Sequence, residues 1–223
     1  MRLAIESVLG QSFRDYELIV INDGSTDDSE RLINSYNDLR IVYVRQRNLG
    51  EPAATNMGLR MARGSYITWV HSDDILPPNS FSARVACLDA HKDIDLCHGD
   101  ILIMNRHGYF CRHMSAFDGD GRSAYLEYYK ARAARKVAAP VHHTTIMFRK
   151  EFLPVVGFWD ERLPCAMDMD WLLRALKFGR IKKVNAILYW YRFHPQTQRR
   201  IKANKGLSRH AMMQVILRRH AEV

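Results

Sequence analysis

The sequence predicts an α/β fold: a doubly wound sheet flanked by helices. Three observations predict it. Short apolar runs at 17–21, 40–44 and 65–70 alternate with helix-like segments at 29–37 and 52–62, the order that a parallel sheet with crossover helices requires. Two of these runs end in aspartate-bearing turns, at Asp23 and at Asp73-Asp74. Finally, 223 residues with 47% hydrophobic content suffice for one sizeable core.

Residues 1–9 read as a helix already under way, with Leu3, Ile5, Val8 and Leu9 on a rough helical period and no capping signal ahead of them. Glu17-Leu18-Ile19-Val20-Ile21 is a strand of the continuous apolar kind, and it ends at Asn22-Asp23-Gly24-Ser25-Thr26-Asp27-Asp28. That acidic, hydroxyl-rich turn caps a helix over 29–37. A second strand at 40–44 leads through Asn48-Leu49-Gly50 into a helix over 52–62, where Pro52 sits early enough that its missing N–H costs nothing. After Gly64, the strand at 65–70 runs into His71-Ser72-Asp73-Asp74, and Pro77-Pro78 forbid its simple continuation.

Beyond this the pattern predicts a helix at 81–91, one or two strands within 95–104, and a tight turn at Gly108. Residues 115–121 are loop-like, 123–137 an Ala-, Tyr- and Arg-rich helix, and 142–149 strand-like. A helix starts near Asp168 and ends at Gly179, a last strand covers 187–192, and a basic helix at 207–220 carries Met212, Met213, Ile216 and Leu217 on one side. The division expected is one domain over 1–194 with a basic helical extension over 195–223.

No apolar run approaches the roughly 18 residues that span a bilayer, and the first twelve residues hold no signal-peptide core. A cytoplasmic setting is expected. Cys87, Cys97, Cys111 and Cys165 lack CxxC spacing, which argues against a zinc site or a disulfide framework. The net charge of +9 is uneven: residues 1–110 carry 11 Lys/Arg against 15 Asp/Glu, and residues 111–223 carry 22 against 9. The basic half suits an anionic partner such as donor phosphates or a lipid surface, with peripheral membrane contact through the 123–137 and 207–220 helices. A nucleic-acid partner is not expected, because no RNP-like aromatic motif, zinc spacing or helix-turn-helix signature accompanies the charge.

The stretch Ile67-Thr68-Trp69-Val70-His71-Ser72-Asp73-Asp74 delivers two carboxylates to the end of a strand. Ligands of open α/β sheets bind there, and a hard divalent cation needs carboxylate oxygens while often holding substrate phosphates. A metal-bound diphosphate is one reading. The ordinary one is a turn whose Ser and Asp cap the next helix.

The order of the motifs breaks that tie. Residues 17–27, with Asn22-Asp23-Gly24-Ser25, resemble the nucleotide-contacting strand and turn of inverting family 2 glycosyltransferases of the GT-A fold. Asn48-Leu49-Gly50, Ala54-Thr55-Asn56-Met57-Gly58 and Gly64-Ser65-Tyr66-Ile67 resemble the family's next block, and His71-Ser72-Asp73-Asp74 falls where its metal-binding acidic triplet belongs. Gly157-Phe158-Trp159-Asp160-Glu161 and 167–174 resemble the late blocks that hold the catalytic base. The resemblance covers about residues 1–194.

It implies a GT-A-like mixed, mainly parallel sheet and transfer of a sugar from a nucleotide-diphosphate sugar, a UDP-sugar, to a glycan or lipid-linked acceptor. Asp168 would be the base, with Asp170 the alternative. Asp23, Ser25, Asn56, Ser72 and Asp73 would contact the donor, and Asp73 with His71 would hold Mg2+ or Mn2+. His194, Arg192, Arg199 and Arg200 are further phosphate candidates, while His142 and His143 read as structural or as reaching the acceptor pocket. Three departures stand out: His71 replaces the triplet's opening Asp, Met167 replaces an acid beside Asp168, and the family's first apolar strand is absent. The last implies two exposed strand edges, from a start placed too late or a decayed copy. A catalytically impaired or non-catalytic nucleotide-sugar binding protein is the alternative.

Overall fold

The structure is a computed structural model that describes residues 1–119, 124, 125, 127, 141–163, 165–193, 215, 216 and 220. In order, α1 (Arg2–Leu9), β1 (Leu18–Asp23), α2 (Ser29–Asn34), β2 (Ile41–Gln46), α3 (Glu51–Met61) and β3 (Tyr66–Thr68) form the first half. There follow α4 (Ser80–Ala90), β4 (Leu96–Met104), β5 (Phe110–Met114), a 3-10 turn (His143–Thr145), β6 (Met147–Arg149), α5 (Leu153–Val156), α6 (Met167–Phe178) and β7 (Ile181–Arg192).

The strands are mixed in direction, and the two longest ladders are parallel: β1 with β2, and β4 with β7. β4 is the centre of the larger sheet, because its first residues also pair with β6 and its last with β5, both antiparallel, while β6 reaches on to β3. Among the described residues no ladder joins β1 to β3, so each keeps one unpaired edge. Both flank one cluster: Leu18 of β1 and Tyr66 of β3 pack against Val8, Leu76, Phe81 and Leu88.

A second, larger cluster gathers Ile67, Leu96, Phe148, Trp171 and Leu172. Trp69 stands edge-on to both Trp159 and Trp171, at 5.4 Å from each, and so ties the segment leading to the acidic turn to α6. Ile216 also belongs to this cluster, and His220 bonds Asp170, so two residues of the C-terminal extension pack on the main domain. Apart from residues 124, 125, 127, 215, 216 and 220, the 123–137 and 207–220 segments, together with His194, Arg199 and Arg200, lie outside the described residues. No helix among the described residues is long and apolar enough to cross a membrane.

Three elements differ from expectation. β3 stops at Thr68, because its partner β6 begins at Met147 and the preceding residues turn back on themselves, with Ile146 N–H donating to the His143 carbonyl. The same turn splits the expected strand at 142–149. β7 starts at Ile181 rather than near 187: Lys182 and Lys183 hide the apolar pattern, yet their backbones pair with Cys97 and His98.

Candidate active site

The end of β1 is shaped by backbone chemistry. Asn22 accepts the Ser25 N–H at 2.8 Å and donates to the Tyr43 hydroxyl at 2.9 Å, closing a turn that leaves Ser25 exposed. Gly24 occupies the left-handed region at φ 74°, and a Cβ there would meet the Asn48 nitrogen at 2.7 Å. Only glycine lets the 22–25 and 47–50 loops come so close. Asp23 accepts from Gln46 Nε2 and from the N–H groups of Leu49 and Gly50, at 2.7–2.8 Å. Partial burial pushes this carboxyl up, but the three donors outweigh it and hold it below the usual carboxylate range. A carboxylate has about four acceptor positions, so Asp23 keeps capacity for one more donor.

The acidic turn is fastened from β7. Asp74 is buried and accepts the Arg192 N–H at 2.6 Å, and the Tyr189 hydroxyl donates to it while accepting from the His71 N–H at 3.0 Å. Burial pushes Asp74 up to about 7. The Arg192 side chain, a candidate phosphate ligand in the sequence, donates instead to the Asp73 carbonyl at 2.9 Å. These bonds turn Ser72 and the Asp73 side chain outward to solvent. Tyr189→Phe leaves a buried N–H and a buried carboxyl without their shared partner, so it should cost about 1–3 kcal/mol in chemical denaturation; an unchanged midpoint would count against this fastening.

Asp168 lies in the first turn of α6, where unpaired N–H groups favour negative charge. The chain enters the helix through Ala166, which is left-handed at φ 60° and whose carbonyl accepts from Met169 and Asp170. Asp168 Oδ2 is 3.1 Å from His143 Nδ1, and His143 Nε2 is 3.1 Å from His71 Nε2. On its other side His71 Nδ1 stands 3.9 Å from Glu51 Oε1, and Glu51 follows the Gly50 that binds Asp23. Asp23, His71 with Asp73, and Asp168 therefore lie along one continuous run. Burial, then the neighbouring His143, pulls His71 down to about 4, although a third of its side chain still meets solvent.

Two residues sit elsewhere. Asn56 is buried, and its amide bonds the Trp159 N–H and carbonyl and Glu161 Oε1, clamping α3 to the 157–161 turn. Asp170 is 2% exposed and held by Arg174 at 3.0 Å and His220 at 3.1 Å, so it anchors α6. Asn56 and Asp170 both line a cavity of about 540 Å³ with Arg60, Arg174 and His220. His143 is the site residue whose place sequence reading did not fix, and its neighbour His142 stacks on it at 5.4 Å.

For Mg2+ or Mn2+ the acidic turn offers the Asp73 carboxylate and the His71 imidazole, with the Glu51 carboxylate 3.9 Å from that ring. Among the described residues no group of three or more His, Cys, Asp and Glu gathers into a protein-built cage. Magnesium-like ions keep several waters and share substrate phosphates, needing only one or two protein carboxylates, and this donor set fits that kind of shared site.

The sequence model of the family described as Glycosyl transferase family 2 matches residues 1–157. A glycosyltransferase of Rickettsia prowazekii is 27% identical over 197 residues, which is 87% of this chain and 60% of that protein. The chondroitin synthase of Escherichia coli is 30% identical over 190 residues, 83% of this chain and 26% of that protein. The chain thus spans 60% or less of these relatives' length. Among solved structures, S. aureus TarS 1-349 in complex with UDP-GlcNAc superposes with a TM-score of 0.71 at 19% identity, covering 98% of this chain and 61% of that one. That likeness speaks to the fold, which is GT-A.

Proposed function

Because this chain belongs to glycosyl transferase family 2, we propose that it moves a sugar from a UDP-sugar to a hydroxyl of a glycan or lipid-linked acceptor, with inversion. The observation that carries this reading is the unbroken run from Asp23 through Glu51 and His71 to His143 and Asp168. TarS, solved with UDP and with UDP-GlcNAc, supports the donor class, and the chondroitin synthase supports a glycan acceptor.

Asp23, with Ser25 beside it, accepts from the donor's pyrimidine ring using its remaining acceptor position. Ser72 and Asp73 face the diphosphate. Asp168 takes the proton of the acceptor hydroxyl as that oxygen bonds to the anomeric carbon, while the bond from that carbon to the diphosphate breaks and its electron pair leaves with the diphosphate. One displacement inverts the anomeric centre. Asp73 and His71 would hold Mg2+ or Mn2+, which when bound would supply positive charge toward the diphosphate.

Calorimetry with UDP-GlcNAc, followed by UDP release from it with and without acceptor glycans, tests the proposal. Donor binding with neither hydrolysis nor transfer over a broad acceptor screen would favour a non-catalytic binding protein. EDTA should abolish UDP release, Mn2+ or Mg2+ should restore it, and Asp73→Asn should lose both activity and metal response; full turnover in EDTA would remove the metal from the account.

A further inference from the structure

We propose that His143 is the positioning residue of the transfer: its Nδ1–H clamps the Asp168 carboxylate, and its Nε2 contact with His71 sets the ring's orientation. The inference rests on Asp168 being the base. The two residues come from distant elements, His143 from the turn before β6 and Asp168 from the start of α6, and they meet at 3.1 Å.

The ring is fixed on three sides. His142 stacks on it with an interplanar angle of 16°, His71 meets it edge-on at 5.3 Å, and Trp159 approaches edge-on at 6.2 Å. Its backbone is equally constrained, because the His143 carbonyl accepts from Ile146 N–H, and the His142 carbonyl accepts both the N–H and the hydroxyl of Thr145. The side chain is only 19% exposed and Asp168 only 15%.

The hydrogens can be assigned by elimination. An ionised carboxylate only accepts, so the hydrogen between Asp168 and His143 belongs to Nδ1. Across the 3.1 Å contact His143 Nε2 and His71 Nε2 share one hydrogen, which ties the two rings together. A carboxylate held in this way cannot swing about its own bond, and an oxygen kept at one place is what proton abstraction from an attacking hydroxyl requires. Orienting partners of this type typically matter by about 10- to 100-fold.

Three substitutions in the full chain separate the atoms. Asn places an N–H near the position of Nδ1, Gln places one near Nε2, and Ala supplies neither. UDP release from the assay donor is measured with donor affinity and melting temperature. His143→Ala and His143→Gln should lower kcat by about 10- to 100-fold, with KM and donor Kd little changed. His143→Asn should retain most of the turnover, a rescue that a space-filling role would not produce. In an Asp168→Asn background, His143→Ala should cost nothing further.

Turnover near the parent level in His143→Gln, with Asp168→Asn inactive, would overturn the proposal, as would an Asn variant as slow as the Ala variant or losses that multiply in the double variant. Retained turnover in Asp168→Asn would instead remove the base assignment itself. Should His143→Ala not fold, the Asn and Gln variants at matched melting temperature decide the matter.

Discussion

Asp168→Asn is expected to bind the donor with unchanged affinity and to lose about 10²- to 10⁴-fold in turnover, the range typical for deletion of a positioned general base. The amide keeps the shape of the side chain and can still meet His143, but it cannot take the acceptor's proton. The informative contrast is Asp170→Asn, two residues along the same helix. Its carboxylate is buried, and although burial pushes it up, His220 and Arg174 hold it below the usual range, so its removal acts on stability. The contribution of Asp170 is present above the unfolded carboxylate pKa and fades as pH falls through its lower folded value. Turnover near the parent level in Asp168→Asn, combined with collapse of turnover in a well-folded Asp170→Asn, would move the base to Asp170.

What could be read from the chain depended on how local the cause was. Asp23 and Asp73 follow apolar runs and Asp168 opens an amphipathic segment, so neighbouring residues are enough to mark them. The partners of Asn56 are not marked in this way, because its environment is set by Trp159 and Glu161, more than a hundred residues on, which no local period records. His143 escaped assignment for the same reason: it faces His71 only because Thr68 pairs with Met147 across the sheet. The short β3 and long β7 have a different origin. A strand ends where its partner's hydrogen bonds end, and it continues through lysines when the partner's backbone continues.

Arg84 shows how far this goes, and it carries the largest stability prediction. On a helix like α4 an arginine reads as solvated surface, yet Arg84 is fully buried, because α4 lies across β4, β6 and β7. Its guanidinium donates to neutral oxygens: the Ser80 carbonyl and hydroxyl, Thr68 Oγ1, and the carbonyls of Thr145 and Ile146. Burial pulls it down to about 10. Arg84→Ala opens a cavity and strips donors from buried carbonyls, a combination worth about 3–5 kcal/mol, while Arg84→Met, which keeps the volume and removes a buried charge, should cost less. Urea denaturation of the two variants reads the difference; equal losses would mean that the hydrogen bonds, not the filled space, dominate. The effect should reach the site. Thr68 leads into Trp69 and the acidic turn, and Thr145 follows His143, so the group that Arg84 bridges is the scaffold on which His71 and His143 face each other. A folded Arg84→Met should therefore retain donor binding and lose turnover in the same direction as His143→Ala, because the spacing of the two imidazoles, and through it the hold on Asp168, is set from beneath.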